Sequence, residues 1–294
     1  MERVTVKLLQ EALTPATRQA YQLSWNRFHS FASALQKSAL PATIPTVVKF
    51  VAYLYSSGLA SSTITSTVSA VSYLHKVNML PDPTAAFVVR KVLQGASKLR
   101  GTSDSRLPIT LDILKRLVSS TDYTCSSNYL KIMCRAMYMT AFHAFLRVGE
   151  ITGTGPNVLQ RDHVTISDTH YTLTFYSYKH HKGQPVSIIV SASSTSPCPV
   201  FALNQYLCLR GDLPGPLFLY PPNKHLSREL FVSNLQASLA WAGLDTRLYK
   251  SHSFRIGAAT HAAATGHSDA EIQAMGRWKS GAFQKYIRIP TVHF

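Results

Sequence analysis

Residues 251–288 read SHSFRIGAATHAAATGHSDAEIQAMGRWKSGAFQKYIR. Ser251 is placed as the N-cap of a helix that Gly266 ends, so His252 and Arg255, three apart in the first turn, share one face. The Ala- and Gly-rich character of that helix allows close approach of a neighbour. Ser268 and Glu271 form a capping box for a second helix. Trp278 follows the end of that helix. Ser280 is placed as the cap of a third helix, which puts Tyr286 in its second turn. Taken singly, each of these residues has an ordinary structural explanation, since the chain holds 14 tyrosines and 12 histidines. Their order is what needs explaining.

Two upstream stretches carry further cations in local patterns of their own. A long apolar-faced helix from about Asn128 to His143 delivers Arg147 just past its end, in TAFHAFLRVGEI, with Glu150 three residues later. The pattern then switches to period two. Leu173 and Phe175 alternate with Thr172, Thr174 and Tyr176, and Val186, Ile188 and Val190 alternate after the tip KHHKGQ. That predicts a small antiparallel sheet of two or three strands with Lys179 and Lys182 on the turn and Gly183 as its turn residue. His180 and His181 lie between the two lysines, and adjacent turn residues rarely converge on one metal ion.

The first hundred residues read as helices. Tyr21, Trp25, Phe28 and Phe31/Ala32 form one apolar face after a Thr14-Pro15 start. Further helices are placed after a Thr46 cap to Gly58, from Ser61 onward, and from about Thr84 to Lys98, giving a compact bundle of four. Residues 98–107, KLRGTSDSRL, lack apolar periodicity and read as a basic linker. In the second half, CPVFALNQYLCLR and SRELFVSNLQASLAWAG (ended by Gly243) read as helices and PLFLYPPN as a connector. The fold class is therefore mainly α with a small antiparallel β-sheet (α+β). Its domains are a helical bundle over 1–97, the linker over 98–107 and a mixed domain over 108–294.

Thirty Lys and Arg against fourteen Asp and Glu give a net charge of +16, which suits a polyanionic partner, most simply nucleic acid. Cys125, Cys134, Cys198 and Cys208 show no metal-ligand spacing, so free thiols in a reducing compartment are expected. No run of eighteen apolar residues occurs, and no membrane span is expected. MERVTVKLLQEAL at the start lacks the apolar core of a signal peptide.

The set Arg147, Lys179, His252, Arg255, Trp278 and Tyr286, in this order, resembles the active site of tyrosine recombinases of the phage integrase family. Residues 61–75, SSTITSTVSAVSYLH, followed by Asp82-Pro83-Thr84, resemble that family's core-binding (SAM-like) domain. CPVFAL, PLF, HSFRIGAAT and GRWKSGAFQKYIR look most like the recombinases of DIRS- and Ngaro-type eukaryotic retrotransposons. The resemblance implies cleavage and rejoining of double-stranded DNA through a 3′-phosphotyrosine on Tyr286, with no metal and no other cofactor. Arg147 and Arg255 would neutralise the phosphate, as planar, permanently charged forks do well. His252 would act as acid/base, Lys179 would protonate the leaving 5′ oxygen, and Trp278 would close the site. Glu150 matches an acidic position that orients its neighbours.

The sequence departs from the family at one spacing. The family residue lies nine before the nucleophile, where this chain has Arg277, while Trp278 is eight before. Lys182 also competes with Lys179. The resemblance further implies two domains around duplex DNA, a homotetramer on two DNA sites, an apolar tail IRIPTVHF (287–294) that docks on a neighbouring protomer or on its own core, and a nuclear location if the source is a eukaryotic retroelement. No membrane and no small-molecule substrate are implied. Two alternatives share these features: a catalytically silent domesticated DNA-binding protein, and a type IB topoisomerase-like enzyme. A purely structural basic protein is the third.

Overall fold

The computed structural model describes residues 2–101, 104–178 and 183–288. Lys179, His180, His181 and Lys182 lie outside the described residues, as do 289–294 of the tail. The chain divides into two compact units, Met1–Asp104 and Ser105–Phe294.

The first unit is helical: α1 (Glu2–Glu11), α2 (Pro15–Ala34), α3 (Ile44–Ser56), α4 (Ser61–Val77) and α5 (Phe87–Leu99), with a 3-10 turn at Pro83–Ala85. Five helices stand where four were expected, because the Thr14-Pro15 start separates α2 from a helix before it. Thr14 accepts a hydrogen bond from the Thr17 N–H at 3.2 Å. The cap of α3 is Thr43 and not Thr46: its hydroxyl accepts from the Thr46 N–H at 3.4 Å. Pro45 lacks an N–H and so fits the first turn, where donors have no intrahelical partner, instead of breaking the chain. The aromatic face of α2 lies in the core, where Phe28 meets Phe50 with ring centroids 4.9 Å apart.

Among the described residues of this unit, His75 is fully buried. His75 accepts from the Ala42 N–H through Nε2 at 2.9 Å and bonds the Val71 carbonyl through Nδ1 at 2.8 Å. A carbonyl only accepts and an amide only donates, so the ring is the neutral Nδ1–H tautomer. Helix α5 runs through Leu99, and Arg100 donates to the Tyr55 and Leu59 carbonyls while lying 4.4 Å from the Tyr55 ring. The first residues of the segment read as linker are therefore built into the helical unit.

The second unit is organised on α7 (Asn128–His143), whose buried residues cover most of its circumference. Around it lie α6 (Leu111–Thr124), α9 (Pro199–Arg210), α10 (Arg228–Trp241) and α11 (Ser253–Ala264), whose apolar residues join one core. After α7 comes the single turn α8 (Val148–Ile151). Strands β1 (Val164–Ile166), β2 (His170–Phe175) and β3 (Val186–Ser191) form an antiparallel sheet in the order β1-β2-β3, with Leu173 opposite Val164 and Ile188. Tyr171, Leu173 and Phe175 all point inward, as the period of two requires. The segment expected to be a plain connector holds β4 (Leu219–Tyr220), which pairs with β5 (Lys224–His225) across a tight turn.

Helix α11 starts at Ser253, so Ser251 is not its cap. His252 occupies the cap position, and the Ser253 hydroxyl accepts from the Lys250 N–H at 3.0 Å. Before α6, residues 107–109 run alongside this start: the Leu107 N–H donates to the Leu248 carbonyl at 2.9 Å and the Ile109 N–H to the Ser253 carbonyl at 3.0 Å. The approach is close enough that a Cβ on Gly257 would lie 1.8 Å from the Ile109 oxygen. Helix α12 (Asp269–Met275) carries the Ser268–Glu271 capping box. The last element among the described residues is a 3-10 turn, Gly281–Tyr286, so Tyr286 closes that turn and does not sit in the second turn of an α-helix. Among the described residues no helix is long and apolar enough to cross a membrane.

Candidate active site

Three parts of the second unit meet at Arg255, beside Tyr286. The first is the turn after α7. Phe145 there adopts φ of 52°, a left-handed conformation uncommon for a bulky residue, which redirects the chain into Arg147 and α8. Arg147 caps α8: its N–H donates to Glu150 Oε2 at 2.8 Å, and its guanidinium donates to Glu150 Oε1 at 3.0 Å.

The second part is α11. Arg255 is 1% exposed and donates to the Phe145 carbonyl and, at 2.8 Å, to the Gly276 carbonyl. It thereby bridges the turns that follow α7 and α12. Its Nε has no hydrogen-bond partner. His252, half-buried one turn earlier, stacks on Tyr286 with ring centroids 6.5 Å apart. Burial, then the charges of Arg106, Arg255, Arg228 and Arg147, hold its pKa down at about 4. The imidazole is therefore neutral at neutral pH. Burial also pushes the Arg255 pKa down, with Arg147 adding to it.

The third part is the turn after α12. Trp278 lies 5.2 Å from the Tyr286 ring, centroid to centroid, and the Arg255 guanidinium sits 4.3 Å from the indole centroid. Gly276 permits this: a Cβ there would lie 1.5 Å from an indole carbon. Arg277, the residue at the family's nine-back spacing, turns away under the site. With φ of 54° it buries its side chain and pairs with Glu150 at 2.7 Å. It also donates to the Ala144 carbonyl at 3.3 Å and lies over the Phe175 ring at 3.8 Å. Glu150 thus serves two arginines at once, and one carboxylate sets the direction of Arg147.

Of the six residues singled out in the sequence, five come together here: Arg147, His252, Arg255, Trp278 and Tyr286. Lys179 lies outside the described residues. Tyr178, immediately before it, is 6.0 Å from the Arg277 guanidinium, measured to the ring centroid, and Ser177 is tied to Asn157 at 2.8 Å. Sequence reasoning missed Arg277 as a partner of Glu150 and missed the turn at Phe145. Non-glycine left-handed turns leave no periodic signal. Among the described residues no group of three His, Cys, Asp or Glu is placed to hold a metal ion.

What the geometry offers is a phenol ringed by a neutral imidazole, a buried guanidinium and an indole, with a second, more exposed guanidinium held on a carboxylate. Comparison with known proteins bears on both units. Residues 7–80 match the family model of the phage integrase N-terminal SAM-like domain. No curated protein matches the chain by sequence. Among solved structures, the chain is similar to the XerH site-specific recombinase bound to palindromic difH substrate in a post-cleavage complex, with TM-score 0.68 and 16% identity over 91% of this chain and 75% of that one. It is similar to the Tn1549 transposon integrase in complex with transposon right end DNA, with TM-score 0.68 and 11% identity over 98% and 94%. A lambda integrase dimer bound to a COC′ core site gives TM-score 0.64 and 14% identity over 100% and 77%. At these identities the likeness carries the fold: a mainly helical chain with a small antiparallel sheet, matching tyrosine-recombinase catalytic domains.

Proposed function

We propose that this chain is a tyrosine-type DNA recombinase, which cuts and rejoins double-stranded DNA through a covalent link to Tyr286. The observation that carries the reading is the convergence of His252, Arg255 and Trp278 on Tyr286, with Arg147 aimed by Glu150 beside them. The phenol oxygen attacks the scissile phosphorus, a P–O bond to Tyr286 forms, and the bond to the 5′ oxygen breaks. The phenol has a reference pKa of about 10 and must lose its proton on the way. A neutral His252 can take it. Two negative non-bridging oxygens oppose the attack, and the guanidiniums of Arg147 and Arg255 offset that charge most strongly as it builds in the transition state. An unpaired buried donor is costly, and a phosphate oxygen at the Arg255 Nε would relieve it. The departing 5′ oxygen takes a proton, for which Lys179 is the candidate.

The finer reading extends this. The chain acts as a homotetramer on two DNA sites, serves a eukaryotic retroelement of the DIRS or Ngaro type, and works in the nucleus. The motif resemblance at residues 251–288 supports the retroelement part. The helical unit through Arg100 acts as core-binding domain, the residues from 101 to 107 as linker, and 108–294 as catalytic domain.

The test starts with duplexes that the protein itself selects from a random library by binding. These are rebuilt with a nick at each successive step, so that a short strand diffuses away after cleavage and traps the product. A covalent protein–DNA band in EDTA that Tyr286→Phe loses, while still binding the same duplex, is the expected result. Tight binding with no covalent band at any nick position overturns the enzymatic reading in favour of a silent DNA-binding protein. Relaxation of a supercoiled plasmid carrying two selected sites, without exchange between them, would point to a topoisomerase.

A further inference from the structure

The nucleophile candidate sits on a short 3-10 turn and not on an α-helix. The 3-10 turn Gly281–Tyr286 is capped by Ser280, whose hydroxyl accepts from the Ala282 N–H at 3.4 Å. Its last bond runs from the Ile287 N–H to the Gln284 carbonyl at 3.3 Å. Short 3-10 pieces have poor hydrogen-bond geometry and little stability of their own. Such a turn does not by itself hold a phenol to the fraction of an ångström that in-line attack demands.

Thr260 supplies what the turn lacks. Its hydroxyl donates to the Tyr286 carbonyl at 3.3 Å and accepts from the Arg288 N–H at 2.9 Å. A hydroxyl has one donor and two acceptor sites, and here both functions engage backbone on either side of Ile287. Thr260 belongs to α11, the helix that carries Arg255 and, at its cap, His252. One rigid element therefore sets the spacing among the phenol, the imidazole and the guanidinium. We infer that Thr260 is a positioning residue for the nucleophile, fixing the Tyr286 backbone to α11 so that the phenol reaches the phosphate in line. This rests on the proposed role of Tyr286.

The experiment uses the full chain and the selected, nicked duplex described above, and follows single-turnover formation of the covalent band. Thr260→Val keeps the shape of the side chain and removes both hydrogen bonds. Expected are unchanged duplex affinity, an unchanged melting temperature, and a covalent step slowed about 10- to 100-fold. Thr260→Ser retains the hydroxyl and recovers most of the rate. Should valine disturb folding, Thr260→Ala removes the same bonds without added bulk and is read in the same way. A folded valine or alanine variant that cleaves at the wild-type rate overturns the inference. So does a serine variant as slow as valine, because then the methyl and not the hydroxyl matters. Failure of the wild type to form any covalent band is a different result: it removes the recombinase reading, and this inference with it.

Discussion

Arg277 and Trp278 adjoin in the chain, yet one guanidinium is buried against Glu150 and the Phe175 ring while the next side chain lies on Arg255 and Tyr286. Counting residues back from Tyr286 does not separate these two, because the left-handed φ at Arg277 reverses which side chain faces the site. The histidines make a measurable statement at the same scale. His252 and His143 are each held at about 4, His143 by burial and then by the charge of His261. An unfolded histidine titrates near about 6.5, so between those values the unfolded chain binds more protons than the folded one. The stability these groups contribute is fully present above about pH 6.5 and is lost as pH falls toward about 4. Urea midpoints should therefore fall between pH 7 and pH 5, and fall less in His252→Gln. A midpoint that stays flat or rises on acidification would contradict the buried, arginine-flanked setting of His252.

At the scale of elements, what the sequence discloses follows periodicity. The long helix before Arg147, the alternation in β2 and β3, and the capping box of α12 are all legible because each rests on local chemistry. The errors fall where a contact from elsewhere decides. Ser251 looks like a cap, but residues 107–109 occupy the start of α11 and Ser253 takes that work. Tyr286 looks helical, but its turn is held by Thr260 and stays 3-10. Thr46 looks like the cap of α3, but Pro45 fits inside the first turn and Thr43 is the cap. Gly257 tests the packing of α11 against 107–109. The added methyl of Gly257→Ala would meet backbone, which cannot rotate aside. The expected cost is about 3 kcal/mol, read as a lower urea midpoint. A variant as stable as wild type would mean the two segments are not packed this closely.

For the whole molecule, the excess of sixteen positive charges is visible in composition alone, whereas the gathering of five dispersed residues, Tyr286 among them, in one site needs the fold. Order along the chain was legible as a family resemblance. The Arg277–Glu150–Arg147 linkage was not, since it joins residues more than a hundred positions apart. Charge at this scale predicts how binding responds to salt. Affinity for a selected duplex should fall about 1,000-fold or more between about 50 and about 200 mM salt, as release of counterions from several phosphates requires. A salt-independent affinity would argue against a phosphate-tracking surface.

The most direct test of the central claim is the chemical identity of the covalent link. The trapped adduct is trimmed with nuclease, digested with trypsin and sequenced by mass spectrometry. The account predicts nucleotide mass on the peptide Tyr286–Arg288, joined through a 3′ phosphate to the phenol, with a free 5′ hydroxyl on the departing strand. A link to any other residue, or a phosphate left on the 5′ end, would contradict it.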